Sequence, residues 1–149
     1  MSVTAFARIH DAALTRHGAA VLEARLSQPK TADELRATPD DRYLSQMSLR
    51  IFRAGLKHSV VDAKWPAFED VFLGFEPRRV VAMGDDELEA LLQDQRLIRH
   101  WGKLKSVRAN AAAMVEVAEQ KGSMGAYLAD WPRDDLVGED RDAASGAAW

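Results

Sequence analysis

Cysteine is absent from the 149 residues, which excludes disulfides and thiolate metal sites and leaves the redox compartment open. No apolar run is long enough for a membrane span or the core of a signal peptide. The opening stretch MSVTAFARIHDAALTRHG is interrupted by Arg8, His10 and Asp11. The expectation is a cytoplasmic protein, a monomer with no membrane partner. Strand-type alternation, internal repeats, a Gly-rich phosphate loop and a Ser nucleophile elbow are all missing. Among the four histidines, His10 and His17 lie too far apart for an i, i+4 metal pair. Excess positive charge is also lacking. The formal net charge is −3, so any contact with nucleic acid has to come from a local patch.

What is present is helical periodicity. Hydrophobic residues make up 47% and charged residues 29%, and the length suits one domain with its own core. Phe6, Ile9, Ala13, Val21 and Leu22 recur at helical spacing, with Gly18 as the weak point. Thr31 and Glu34 have the spacing of a capping box. After the TPDD stretch (38–41), the residues Tyr43, Leu44, Met47, Ile51 and Ala54 form the most apolar stripe in the chain, which predicts a core helix. Pro66 in AKWPAFEDVF suits a first helical turn, and Pro77 opens a short helix through Met83. Gly84 breaks that helix, and Asp85 and Asp86 start the next, which carries Leu88, Leu91 and Leu92. Six to eight short helices packed orthogonally are expected over residues 1–132, an all-α domain. Residues 133–149 lack an apolar period and read as a disordered or loosely attached tail.

One stretch concentrates positive charge. In LIRHWGKLKSVRANA (97–111), Leu97, Trp101, Leu104, Val107 and Ala111 share one helix face. Arg99, Lys103, Ser106 and Asn110 make a separate polar strip. Arg99, Lys103 and Asn110 are the DNA-contact candidates, while a solvated helix surface is the plainer account of the positive charge. His100 suits the start of a helix better than a catalytic role.

Three segments, RIFRAGLKHS (50–59), GFEPRRVVAMGDDELEALLQD (74–94) and LIRHWGKLKSVRANA, occur in an order and spacing that resembles one family. They are similar to the 3-methyladenine DNA glycosylase I family of the helix-hairpin-helix glycosylase superfamily. The matching positions are Phe75, Pro77, Val80, Val81, Ala82 and Met83, then Ile98, Arg99, His100, Lys103, Asn110 and Ala111. The resemblance covers about residues 40–131. It implies an all-α fold and an enzyme of base excision repair. Such an enzyme extrudes an alkylated base from double-stranded DNA and hydrolyses its N-glycosidic bond. In that family aromatic residues surround the base and a Glu hydrogen-bonds it.

Two departures change the expectation. The family's Glu position falls on Arg50 and its stacking Trp position on His58, while Ala54, Gly55 and Leu56 are kept. The base-pocket candidates are thus Arg50, Phe52, His58 and Asp62. A cation facing the cationic base is the wrong sign, costing roughly 4 kcal/mol at about 4 Å and an effective dielectric of about 20. Either Arg50 turns away, or another carboxylate such as Asp62 serves, or the substrate differs. His58 has the chemistry to stack on a base, although simple packing is the plainer reading. The family's downstream DNA-gripping hairpin and its structural-zinc ligands are not found, so no cofactor is expected. The domain reads as incomplete, and 133–149 reads as a truncated or frame-shifted end. Weak or no base release is expected, which keeps a second reading alongside: a non-catalytic DNA-binding or lesion-sensing relative. A helical scaffold or partner-binding fragment is a third.

Overall fold

The computed structural model describes residues 3–132, with side chains from residue 5 onward. The expectation of a loosely attached or non-family tail over 133–149 lies outside the described residues. Two compact units part between Lys30 and Thr31, where the sequence reading had one domain. The first unit holds α1 (Val3–His17) and α2 (Ala19–Arg25), separated at Gly18 as the periodicity predicts. No described side chain in this unit is buried.

The second unit holds α3 (Ala32–Ala37), α4 (Asp40–Arg53), α5 (His58–Val71), α6 (Pro77–Val81), α7 (Asp85–Ala90), α8 (Trp101–Lys121) and α9 (Met124–Ala129). Single 3-10 turns lie at Leu73–Phe75 and Leu91–Gln93. The described residues are all-α, with nine α-helices and no strand. Thr31 and Glu34 form both bonds of the capping box, at 3.2 and 2.8 Å. Pro77 sits in the first turn of α6, whose N-cap Glu76 accepts from the amides of Arg78 and Arg79.

Helix α4 corrects the apolar stripe read from the sequence. Its buried face is Leu44, Ser45, Ser48, Leu49 and Phe52, while Met47 and Ala54 are exposed and Ile51 is half-buried. Two small serines made this face look polar. Ser45 is buried because its hydroxyl is fully used, donating to Glu69 at 2.6 Å and accepting from the Trp65 indole at 3.0 Å.

Pro66 is a second correction. It lies inside α5, which starts at His58. Its missing N–H costs the bond to the Asp62 carbonyl one turn back. The third correction is at α8, which begins at Trp101 and not at Leu97. The amide of His100 donates to the carbonyl of Ile98 at 3.0 Å, a tight turn that no helix can contain. Leu97 is buried all the same.

The core is aromatic. Phe68 stacks on Trp65 at 4.8 Å and meets Phe52 edge-on at 4.5 Å, and Phe75 stacks on Trp65 at 5.3 Å. These rings, with Leu44, Val61, Val80, Leu104 and Val107, bind α4, α5, α6 and α8 together.

Phe75 reaches this stack through an unusual turn. Leu73, Gly74 and Phe75 all have positive φ, at 57°, 69° and 57°. Arg42 holds the turn from outside. It donates to the Gly74 carbonyl at 3.0 Å and to both Glu69 oxygens at 3.0 and 2.9 Å. Burial pushes the Glu69 carboxyl up, but hydrogen bonds from Arg42 and Ser45, with the Arg42 charge, outweigh it. The net value lies below the ordinary 4.5. A carboxyl held low in the fold stabilises it above the ordinary value, and that contribution is lost as pH falls through the folded value. The stability gap between the wild type and Glu69→Gln, read from urea midpoints, is expected to shrink steadily below about pH 4.5. A gap that stays constant into acid would contradict this assignment.

Candidate functional site

The base-pocket candidates fall on one corner of the second unit, where α4 ends and α5 begins. Helix α4 stops because Ala54 leaves helical geometry (ψ 119°) and Gly55 takes φ 76°. The amide of Ala54 donates to Ile51 and that of Leu56 to Arg53, at 3.2 and 3.0 Å. Helix α5 then starts at His58 behind an N-cap, Lys57, whose side chain makes no cap bond. The Val60 and Val61 amides donate to the Lys57 carbonyl at 3.1 and 3.4 Å, so the amides left without an intrahelical acceptor are those of His58 and Ser59.

Each candidate has a definite place on this corner. Arg50 is exposed in the last turn of α4 and makes no ion pair or side-chain hydrogen bond among the described residues. His58 is exposed at the first position of α5, so it does not pack in the core as the plainer reading had it. Asp62 is half-exposed one turn further on and is held by Arg53, whose guanidinium approaches it at 2.7 Å. Phe52 is fully buried, and its ring supports the corner from within without reaching the surface. Arg50 and His58 thus flank the exposed tip Ala54–Leu56, with Asp62 behind it, and Phe52 is not on that surface. Leu56 and Val60 add exposed apolar area, at 43% and 49%.

The DNA-contact candidates separate. Arg99 is exposed but lies in the segment before α8, off the helical strip. Lys103 and Asn110 are on α8 and half-buried. Lys103 points its ammonium at the corner, donating to the carbonyls of Ala54 at 2.6 Å and Phe52 at 3.2 Å. His100 is the N-cap of α8, its Nδ1 accepting from the Lys103 amide at 3.2 Å. Sequence spacing could not reveal the Lys103 contact, because its acceptors are backbone atoms some fifty positions away. Lys57, the N-cap residue immediately before His58, is a further exposed cation that the sequence pattern does not single out. Its only signal is that place in the chain.

The structural zinc implied by the family resemblance does not fit these residues. The sequence has no cysteine, and among the described residues no three His, Asp or Glu converge. A cavity of about 340 Å³ is lined by Lys121, Tyr127, Asp130, Trp131 and Pro132, none of them at the corner. Among the described residues, no helix is long and apolar enough to cross a membrane.

Comparison with known proteins gives concordant results. A family model described as methyladenine glycosylase matches residues 35–145, past the Pro132 region where the sequence resemblance ended. The DNA-3-methyladenine glycosylase 1 of Escherichia coli (strain K12) is 33% identical over 85 residues, covering 57% of this chain and 45% of that protein. A crystal structure of 3-methyladenine DNA glycosylase I is similar with a TM-score of 0.54 and 35% identity, over 61% of this chain and 50% of the other. A second structure, concerned with 3-methyladenine recognition by the Staphylococcus aureus glycosylase, has a TM-score of 0.58 at 23% identity, over 60% and 48%. The chain spans about half the length of these relatives.

Proposed function

Since the chain belongs to the methyladenine glycosylase family, we propose that it acts in base excision repair, on double-stranded DNA carrying alkylated bases. The corner formed by 50–62 is the surface that meets an extruded base. Lys57 and the uncapped first turn of α5 suit the phosphates on either side. The protein is a cytoplasmic monomer in this reading.

Family descent suggests hydrolysis of the N-glycosidic bond. The charge at the corner favours the other reading for 3-methyladenine, which is DNA binding or lesion sensing with little release. One observation carries this. Arg50 stands exposed where the family has Glu, and the carboxylate within the 50–62 segment, Asp62, is already paired with Arg53 at 2.7 Å. A cationic base therefore meets a cation and no free carboxylate at this corner.

The test pairs two measurements on methylated duplex. Anisotropy should report binding that weakens steeply with salt, and chromatography should find little free 3-methyladenine. Release at a rate typical of an efficient glycosylase would establish the hydrolytic reading instead. Absence of any salt-dependent binding would remove DNA as the partner.

A further inference from the structure

The geometry assigns Lys103 to positioning the corner and not to contacting DNA. The inference rests on the proposed reading only in supposing that the corner is what meets DNA. The bracing itself stands apart from that.

A helix leaves its last four carbonyls without intrahelical donors. Around the end of α4 the four carbonyls of residues 51–54 each find a donor. The Ile51 carbonyl takes the Ala54 amide, and the Arg53 carbonyl takes the Leu56 amide. That leaves Phe52 and Ala54, and Lys103 donates to both, at 3.2 and 2.6 Å. One ammonium from α8 thus completes the C-terminal end of α4, where a positive charge is also favoured by the helix dipole. Its root is fixed as well, since the Lys103 amide is held by the His100 ring. Arg53 in turn ties the end of α4 to Asp62 on α5. The tip Ala54–Leu56, with Arg50 before it and His58 after it, is therefore clamped to two neighbouring helices.

A lysine engaged in this way does not suit a phosphate contact. Swinging the half-buried ammonium outward would leave two carbonyls without a donor. Arg50, Lys57 and Arg99 are exposed, and none of them makes a side-chain hydrogen bond among the described residues. They are the cations available to DNA. Lys103 holds the surface on which two of them, Arg50 and Lys57, are carried.

The experiment measures three things on the full chain and on the variants Lys103→Met, Lys103→Gln and Lys103→Arg. These are the salt dependence of duplex binding, the affinity at fixed salt, and hydrogen exchange of the Leu56 amide. For Lys103→Met, exchange at Leu56 should rise about tenfold or more, through local opening of the corner. Affinity should drop by a similar factor at every salt concentration, with the slope against log salt unchanged. Lys103→Arg, which keeps charge and donors, should restore most of both. If Lys103→Met fails to fold, Lys103→Gln keeps a donor without the charge and should show partial loosening with the same slope.

A slope reduced by about one, with Leu56 exchange unaltered, would make Lys103 a phosphate contact and overturn the assignment. Unaltered exchange would overturn it even for a chain that binds no DNA. In that case the exchange result judges Lys103, and the missing binding judges the proposed function.

Discussion

Replacing Arg50 by Glu is expected to raise release of 3-methyladenine about a hundredfold. The base carries a positive charge while attached to the sugar. A cation at about 4 Å opposes it by roughly 4 kcal/mol at an effective dielectric of about 20. Arg50 is exposed, so solvent and salt screen much of that and only part is recoverable. About 2.7 kcal/mol, counting both the lost repulsion and the gained attraction, corresponds to two decades of rate.

The gain should appear in kcat/KM and not in kcat, because the interaction is made with the charged substrate and counts toward the rate only by the charge the base still carries in the transition state. Arg50→Gln removes the repulsion alone and should fall between the two. The fold should tolerate both changes. Arg50 has no partner to orphan, and a Glu in the last turn of α4 opposes the helix dipole by only about 0.3–1 kcal/mol. If all three proteins release base at the same rate, Arg50 does not face the base.

Gly125→Ala is expected to destabilise the protein by about 2–3 kcal/mol, although alanine is the better helix former by about 1 kcal/mol. Gly125 is buried in the first turn of α9, where that helix crosses α3. A Cβ there would run into the carbonyl oxygen of Leu35 and crowd the backbone of Arg36. These are backbone atoms, and the Leu35 carbonyl is also held by the Tyr43 hydroxyl at 2.6 Å. Nor can α9 simply slide away. Asp40, in the first turn of α4, accepts from its Met124 amide at 2.9 Å, and Arg36 holds Asp130 at its far end at the same distance. A midpoint lowered by roughly 10 °C in a thermal melt is the expected reading. An unchanged or raised midpoint would mean that α3 and α9 do not approach as closely as described.

Local signals in the sequence were read well. The break at Gly18, the capping box at Thr31 and Glu34, and Pro77 at a helix start each depend on a few neighbouring residues, and the structure has all three. The all-α class follows from periodicity carried over many turns. Failures came where a tertiary partner set the outcome. Ser45 occupies the inner face of α4 because Glu69 and Trp65 satisfy its hydroxyl, and Ser48 is buried there with no partner for its own. Pro66 is tolerated inside α5, where packing of Trp65 and Phe68 against the core outweighs one lost backbone bond.

The candidate site followed the same division. The family motif points to residues 50–62, where Arg50 is exposed in the last turn of α4 and His58 at the first position of α5. That Phe52 is buried there, and that Lys103 is drawn to backbone carbonyls, depended on contacts across the fold that no spacing rule contains.

The turn at Leu73–Phe75 bears on how this sequence can change over generations. Two non-glycine residues there hold left-handed geometry, each at about 1–2 kcal/mol. Phe75 is retained by its place in the ring stack, and the Gly74 carbonyl by Arg42. Arg42 is therefore not free to drift while Leu73 remains. A lineage that first acquired Gly or Asn at position 73 would relieve the strain, and loss of Arg42 could then be tolerated. The reverse order would pass through an intermediate carrying the strain with Glu69 reduced to its bond from Ser45. The stability cost of losing Arg42 thus depends on which residue stands at position 73.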